Sequence, residues 1–262
     1  MAQNISPAAV YSTSALLYRR AFKLLVGLSA LASLLSALTM FSKPYLGAWW
    51  GLAQMMVGII SMLIGFMELI AANQAMEGKP PSLTDAINLT GKRARAYLGN
   101  TVGFVLVSGA PMAVLLFFMK LLAWAPDKIL SGHALLSAFV ILGLAMMLFC
   151  LVCPVWYLIF FIRCSLYGAV VASDFPRTHR GLALSESWYL MKGYFWKGLL
   201  VELPVAATLL LYVIILAFGM DLRTQQIMRP SIVILAQGFM AIIAPFYFTT
   251  QVALHRAVWK KA

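Results

Sequence analysis

Acidic side chains are scarce in this chain. Of its 262 residues only 8 are Asp or Glu, against 20 Lys or Arg, and charged residues make up 11% of the sequence. A soluble globular domain normally carries about 25% charged residues, so the chain has too little charge to cover a water-exposed surface. Hydrophobic residues instead reach 63%, with a mean hydropathy of +0.90. This composition predicts a protein that lies mostly in a membrane.

Cysteine is also rare, with three residues in the whole chain. Cys150 and Cys153 form a C-x-x-C, but the motif lies inside an apolar run and directly precedes Pro154. A redox C-x-x-C belongs next to a soluble βαβ unit, which this context does not offer. We therefore expect these cysteines to pack as small apolar residues.

Histidine shows no pattern that suggests chemistry. The three residues His133, His179 and His255 are far apart along the chain, and none of them has metal-ligand spacing. Ser185 and Ser187 lie near His179, yet no G-x-S-x-G motif accompanies them. The sequence therefore predicts no metal, no cofactor and no catalytic residues, so we expect a protein that is not an enzyme.

Long apolar stretches are what the chain does contain. A spanning helix needs about 20 apolar residues, and six stretches reach that length: 22–41, 47–72, 98–119, 134–162, 198–218 and 231–254. The first is longer than the apolar core of a signal peptide, so we interpret it as a retained helix. The prediction is an all-α integral membrane protein, residues 1–262 forming a single six-helix transmembrane domain.

Basic residues set the expected orientation. With the N-terminus inside, the alternate connections and termini on that side hold fifteen Lys or Arg, and the other side holds five. The positive-inside rule then places both termini in the cytoplasm. The basic charge is expected to meet anionic lipid headgroups, and no folded basic domain is present to bind nucleic acid.

Two polar connections are predicted to be interfacial amphipathic helices on the cytoplasmic side. In residues 78–99, Pro80 and Pro81 end the preceding helix, and Ser82 with Asp85 forms a capping box. In residues 173–197, apolar residues recur at helical spacing. Residues 1–18 are expected to be a loose lead or a short surface helix. The candidate lipid or partner surface comprises Lys92, Arg93, Arg95, Trp188, Lys192, Trp196 and Lys197.

Small and polar residues recur at alternating spacings of four and three along the second span. They are Gly47, Gly51, Gln54, Gly58, Ser61, Gly65, Glu68 and Ala72. Bulky apolar residues fill the positions between them, which is typical of a membrane helix that approaches its neighbours closely. Close helix packing is one interpretation, and a substrate groove along the same face is the other. An apolar–surface–apolar order repeats in residues 46–119 and 134–218, which suggests an internal pseudo-repeat.

Five polar residues are expected at membrane depth: Glu68, Gln54, Glu202, Gln237 and Gln251. A carboxyl group at that depth is costly, which suggests a function such as cation or proton binding. Alternatively, Glu68 and Glu202 lie close to the cytoplasmic end of their spans and pair with Lys79, Arg93 or Lys197. The sequence leaves both interpretations open.

The segment 183–197, ALSESWYLMKGYFWK, has the spacing A-L-x-x-S-W-x-L-x-x-G-x-x-W. It resembles a group of bacterial six-helix membrane proteins that includes the membrane domain attached to some glycerophosphodiester phosphodiesterases. Residues 78–99 are similar to the first cytoplasmic helix of that group. The resemblance implies the six-helix architecture. The phosphodiesterase activity is not implied, because the short connections leave no room for a catalytic domain.

Together these features favour a non-catalytic, multi-pass inner-membrane protein that binds or organises a membrane component. Its expected partners are membrane lipids and a possible membrane-protein partner, and its oligomeric state is left open. The alternative is a transporter or permease subunit that uses Glu68 and Glu202 for ion or proton coupling. A membrane enzyme ranks third.

Overall fold

The computed structural model describes residues 5–124, 143, 155–173, 183–221 and 226–259, and these are almost entirely helical. The helices are α1 Pro7–Phe41, α2 Lys43–Leu46, α3 Trp50–Met76, α4 Leu83–Trp124, α5 155–164, α6 Tyr167–Ala172, α7 Ala183–Leu190, α8 Phe195–Gly219 and α9 Pro230–Trp259. A 3-10 turn, Gly47–Trp49, joins α2 to α3. Met220–Asp221 and Gln226–Ile227 form a two-residue antiparallel ladder, β1 and β2, between α8 and α9.

Five helical segments are long and apolar enough to cross a membrane: Pro7–Phe41, Lys43–Met76, Val155–Ala172, Phe195–Gly219 and Pro230–Trp259. They contain the predicted spans 22–41, 47–72, 198–218 and 231–254. The predicted span 98–119 lies in α4, and 134–162 lies outside the described residues apart from 143 and the helical stretch 155–162. The chain is therefore a helical protein of the multi-pass membrane type.

The packed centre of the molecule is formed mainly by α1, α3, α8 and α9. Leu25, Phe66 and Leu254 are fully buried there. Many equally large apolar side chains face outward instead, among them Leu34, Met55, Leu106, Leu210 and Leu235. Lipid tails are themselves apolar, so apolar side chains that contact them need not be buried in the protein. An exposed apolar surface of this extent therefore fits contact with lipid tails.

The N-terminal residues differ from the expectation of a loose lead or surface helix. Helix α1 begins at Pro7, and Val10, Ser14 and Leu17 are buried. Ser14 Oγ lies 2.8 Å from Thr249 Oγ1 and 2.9 Å from Thr250 Oγ1. The expectation was wrong because these hydroxyl groups bind another helix, and their partners are more than 200 residues away in the sequence.

The first predicted surface helix is not a separate element. Residues 83–97 are the N-terminal part of α4, which continues without interruption to Trp124. Its 42 residues give a length of about 63 Å, roughly twice the thickness of the hydrocarbon core. The predicted capping residue is confirmed, because the Asp85 N–H donates to Ser82 Oγ at 3.4 Å. Residues 82–110 contain no proline, so the helix continues from the cap into the apolar segment.

The second predicted surface helix is interrupted. Helix α7 ends at Leu190, and a turn at 191–194 separates it from α8, which begins at Phe195. Gly193 lies in the turn with φ of +92°, a conformation that glycine adopts without steric cost. Residues 183–190 are thus helical as predicted, whereas 195–197 belong to the following long helix.

Candidate functional site

The predicted intramembrane polar residues form separate pairs between helices. Gln251 Nε2 of α9 donates to Glu202 Oε1 of α8. Gln237 Nε2 donates to Tyr212 Oη at 3.1 Å between the same two helices. Ser29 Oγ of α1 donates to Glu68 Oε1 of α3 at 2.6 Å. Of the five predicted residues, the structure joins only Glu202 and Gln251 directly.

Gln54 does not belong to this interior set. Its side chain is exposed, as are Gly51 and Met55 beside it. Gln54 therefore faces away from the described helices and does not join the other four residues in the interior. Its spacing matches that of Glu68, but the described helices cover the α3 face only from about Ile64 onward.

The row of small residues on α3 is likewise packed over only part of its length. A Cβ atom placed on Gly65 would lie 2.8 Å from Cζ of Phe248 in α9. A Cβ atom on Gly51 or Gly58 would meet nothing within 4 Å. Close helix packing is the interpretation that holds at Gly65, where the missing side chain admits the Phe248 ring.

The two acids predicted at membrane depth take neutral hydrogen-bond donors. Glu68 is 1% exposed and accepts from Ser29, and Glu202 is 4% exposed and accepts from Gln251. The predicted partner Lys79 instead pairs with Glu77 at 2.8 Å. The predicted ion pairs are thus replaced by hydrogen bonds between helices, which stabilise helix association in an apolar environment.

We expect that Ser29→Ala will lower the free energy of unfolding by about 1–3 kcal/mol, because the Glu68 carboxyl group would lose its hydrogen-bond donor while still buried. Ser33→Ala is the matched control, since Ser33 lies one turn further along α1 and is only half-buried. Denaturation by SDS, followed by circular dichroism in detergent micelles, would measure the difference. Equal stability of the two variants would contradict the structural role of the Ser29–Glu68 bond.

Arg93 is the first residue of the predicted basic surface that the structure assigns elsewhere. Its Nη1 donates to the carbonyl oxygens of Val171, Ala172 and Ser173, with the Ala172 distance 2.7 Å. These carbonyls lie at the C-terminal end of α6, where a cation is favoured. Two turns further along α4, Asn100 Oδ1 accepts a hydrogen bond from the Leu184 N–H at 3.1 Å, near the start of α7. Helix α4 thus fixes both short helices.

Trp188 is the second residue of the predicted surface that the structure assigns elsewhere. Its ring covers the Arg163 guanidinium, with 4.5 Å from the ring centroid to Cζ. The neighbouring Ser187 Oγ donates to the Arg163 carbonyl oxygen at 2.7 Å and accepts from the Leu166 N–H at 3.2 Å. These contacts fix the turn between α5 and α6.

The same contacts account for most of the A-L-x-x-S-W-x-L-x-x-G-x-x-W spacing. Ala183 and Leu190 are buried, Ser187 and Trp188 hold the α5–α6 turn, and Gly193 adopts the left-handed turn. Every one of these roles concerns the path of the chain. In this protein the motif therefore specifies architecture.

The remaining members of the predicted surface stay accessible. Lys92, Arg95, Lys192 and Trp196 are exposed, and Trp196 is 73% exposed. Lys197 is half-buried and lies 5.9 Å from the centroid of the Tyr194 ring. Cationic and aromatic side chains of this kind suit the headgroup region of a bilayer.

A cavity of about 110 Å³ lies where α3, α4, α6 and α9 meet. Its walls are mostly aromatic and small residues: Leu69, Tyr97, Ser165, Tyr167, Gly168, Ala169, Tyr247, Phe248 and Gln251. Tyr97 and Tyr167 stack with 5.8 Å between ring centroids. Gln251 is the one member that the sequence had singled out. The sequence does not single out Ser165 or the tyrosines, because a residue beside a cavity has no distinctive sequence signal.

Among the described residues no group of three or more His, Cys, Asp or Glu side chains could hold a metal ion. Cys164 is buried and free, while Cys150 and Cys153 lie outside the described residues. Comparison with protein-family models, with curated proteins and with solved structures gives no match.

Proposed function

We propose that this chain is a non-catalytic, six-span protein of the bacterial inner membrane that binds or organises a membrane component, lipid or protein. Both termini are proposed to lie in the cytoplasm, with the basic connections beside them. The resemblance of residues 78–99 and 183–197 to the bacterial six-helix group supports the same architecture. The observation that carries the proposal is the use of interior polar groups as links between helices, as in Ser29–Glu68 and Glu202–Gln251.

The binding surface is proposed to lie at the cytoplasmic ends of α4 and α7. Arg93 and Trp188 are used internally, whereas Lys92 and Arg95 on α4 and Lys192 in the turn after α7 are exposed basic residues. Each exposed cation near an anionic leaflet contributes about 1 kcal/mol of attraction. An anionic phospholipid is the component that this charge favours.

Native mass spectrometry of the detergent-extracted protein tests the proposal. The wild type is expected to retain anionic phospholipid, and Lys92→Gln/Arg95→Gln is expected to lose most of it. Lys43→Gln/Arg229→Gln removes the same charge from connections assigned to the other side and is the matched control. Equal lipid retention in both double variants would contradict a binding surface on α4.

A transporter subunit is the second candidate, and one observation favours it. Glu68 Oε2 is buried and has no hydrogen-bond partner among the described residues, so its carboxyl group keeps capacity for a proton or cation. Solute or ion flux into proteoliposomes would distinguish the candidates. Flux that Glu68→Gln/Glu202→Gln abolishes, with the fold intact, would favour transport over the scaffold.

A further inference from the structure

The amide nitrogen of Gln251 faces Glu202, and its amide oxygen is turned away from that carboxyl group. This orientation suits an ionised carboxylate, which can only accept hydrogen bonds. That oxygen, Oε1, is buried and has no hydrogen-bond partner among the described residues. A buried acceptor without a donor is destabilising by about 1–3 kcal/mol. The structure thus holds an unmet acceptor in its interior.

Gln251, which carries this acceptor, forms part of the wall of the cavity of about 110 Å³. One water molecule occupies about 30 Å³ in the liquid, so the space admits a small ion with one or two waters. Ser165 also lines the cavity, and its hydroxyl donates to the Ile162 carbonyl oxygen at 2.9 Å. The cavity therefore lies close to a buried carboxyl group whose hydrogen-bond partner, Gln251, is neutral.

The walls suit a positive charge. Tyr97 and Tyr167 are stacked aromatic rings with hydroxyl groups, and Tyr247 and Phe248 add two more rings from α9. The faces of Tyr97 and Tyr167 stack on Phe66, on each other and on Phe104, so the oxygen atoms of the wall are the groups available to a cation. An anion would be repelled by an ionised Glu202 carboxyl group.

The helix interruption between α5 and α6 also borders the cavity. Residues 165–166 form a turn within the candidate span Val155–Ala172. Ser165 in this turn and Tyr167 directly after it both line the cavity. Non-helical backbone within a span is tolerated where it lines a cavity, and interrupted helices commonly supply oxygen ligands to cations.

We propose that this cavity is a binding site for a small monovalent cation, held by Gln251 Oε1 and balanced by the charge of Glu202. The inference goes beyond the proposed function and involves none of its surface residues. Alkali ions and ammonium share the required chemistry, since a metal ion accepts the Gln251 oxygen as a ligand and ammonium donates a hydrogen bond to it.

The test is thermal unfolding of the full chain in a zwitterionic detergent. The buffer contains sodium, potassium or ammonium chloride, with N-methylglucamine chloride at equal ionic strength as a reference cation too large for the cavity. At least one small cation is expected to raise Tm by about 5 °C at saturation. Sodium or potassium acting alone would identify an alkali-ion site, and ammonium acting alone would identify an ammonium site.

Three variants locate the effect. Glu202→Gln keeps an acceptor for Gln251 but removes the charge, and Gln251→Leu removes the orphan oxygen; both are expected to abolish the ion-dependent shift. Gln237→Leu is the matched control, because it removes a glutamine from the same helix that pairs with Tyr212 away from the cavity wall. Equal Tm of the wild type in all four salts would overturn the proposal, leaving water as the occupant. The proposal would also be overturned if the ion-dependent Tm shift were lost in Gln237→Leu and retained in Glu202→Gln.

Discussion

Gly65→Val is expected to lower the free energy of unfolding by about 3 kcal/mol. A Cβ atom at position 65 would lie 2.8 Å from Cζ of Phe248, well inside van der Waals contact. Either the half-buried Phe248 ring would have to rotate, or α3 and α9 would have to separate. Overpacking of this kind typically costs about 1–3 kcal/mol, and the two γ-methyl groups of valine add to it.

Gly58→Val is the matched control. Gly58 lies seven residues earlier on the same face of α3, and a Cβ atom there would meet nothing within 4 Å. We expect its stability to stay within about 0.5 kcal/mol of the wild type. Thermal unfolding in detergent, read as the monodisperse fraction after size-exclusion chromatography, would measure both variants. If valine were tolerated equally at positions 58 and 65, close packing of α3 on α9 would be contradicted.

Arg93→Met has the second-largest expected effect. The variant keeps an unbranched apolar side chain but leaves the carbonyl oxygens of Val171, Ala172 and Ser173 without their donor. Hydrogen bonds from a charged group contribute about 1.5–3 kcal/mol, so we expect a loss of that size. The end of α6 would loosen, and with it the wall of the cavity that Gly168 and Ala169 form.

Arg95→Met serves as the control for Arg93→Met. Arg95 lies two residues further along α4, carries the same charge and is exposed. We expect its substitution to leave the unfolding free energy unchanged within about 0.5 kcal/mol and to reduce retention of anionic lipid. Arg93→Met is expected to lower the unfolding free energy and to leave the retention of anionic lipid unchanged. An identical response of the two variants in both assays would show that Arg93 belongs to the exposed basic surface after all.

The extent of α3, α8 and α9 could be predicted because a membrane helix needs an uninterrupted apolar run, and such a run is visible in one sequence. The partners of the polar residues could not be predicted from the sequence. Gln54 and Gln251 look alike, since each is an amide in an apolar helix at seam spacing. Only the position of neighbouring helices makes one exposed and the other buried.

Short-range signals were reliable where the interaction is local. Ser82 caps α4 as its spacing with Asp85 predicts, because the cap and its N–H lie three residues apart. Ser14, Arg93 and Asn100 were missed or misassigned because each binds a residue more than 75 positions away. In the sequence these side chains cannot be distinguished from solvent-exposed polar residues, and only contact with a distant segment gives them their role.

Labelling of single cysteines in intact cells tests most directly the claim that these helices cross a bilayer with their basic ends inside. In a background in which the three native cysteines are replaced by serine, Tyr45→Cys is expected to react with a membrane-impermeant maleimide, because Tyr45 is 89% exposed between two spans. Lys92→Cys and Lys192→Cys are expected to react only after the cells are permeabilised. Labelling of position 92 or 192 from outside intact cells, with position 45 protected, would contradict the account.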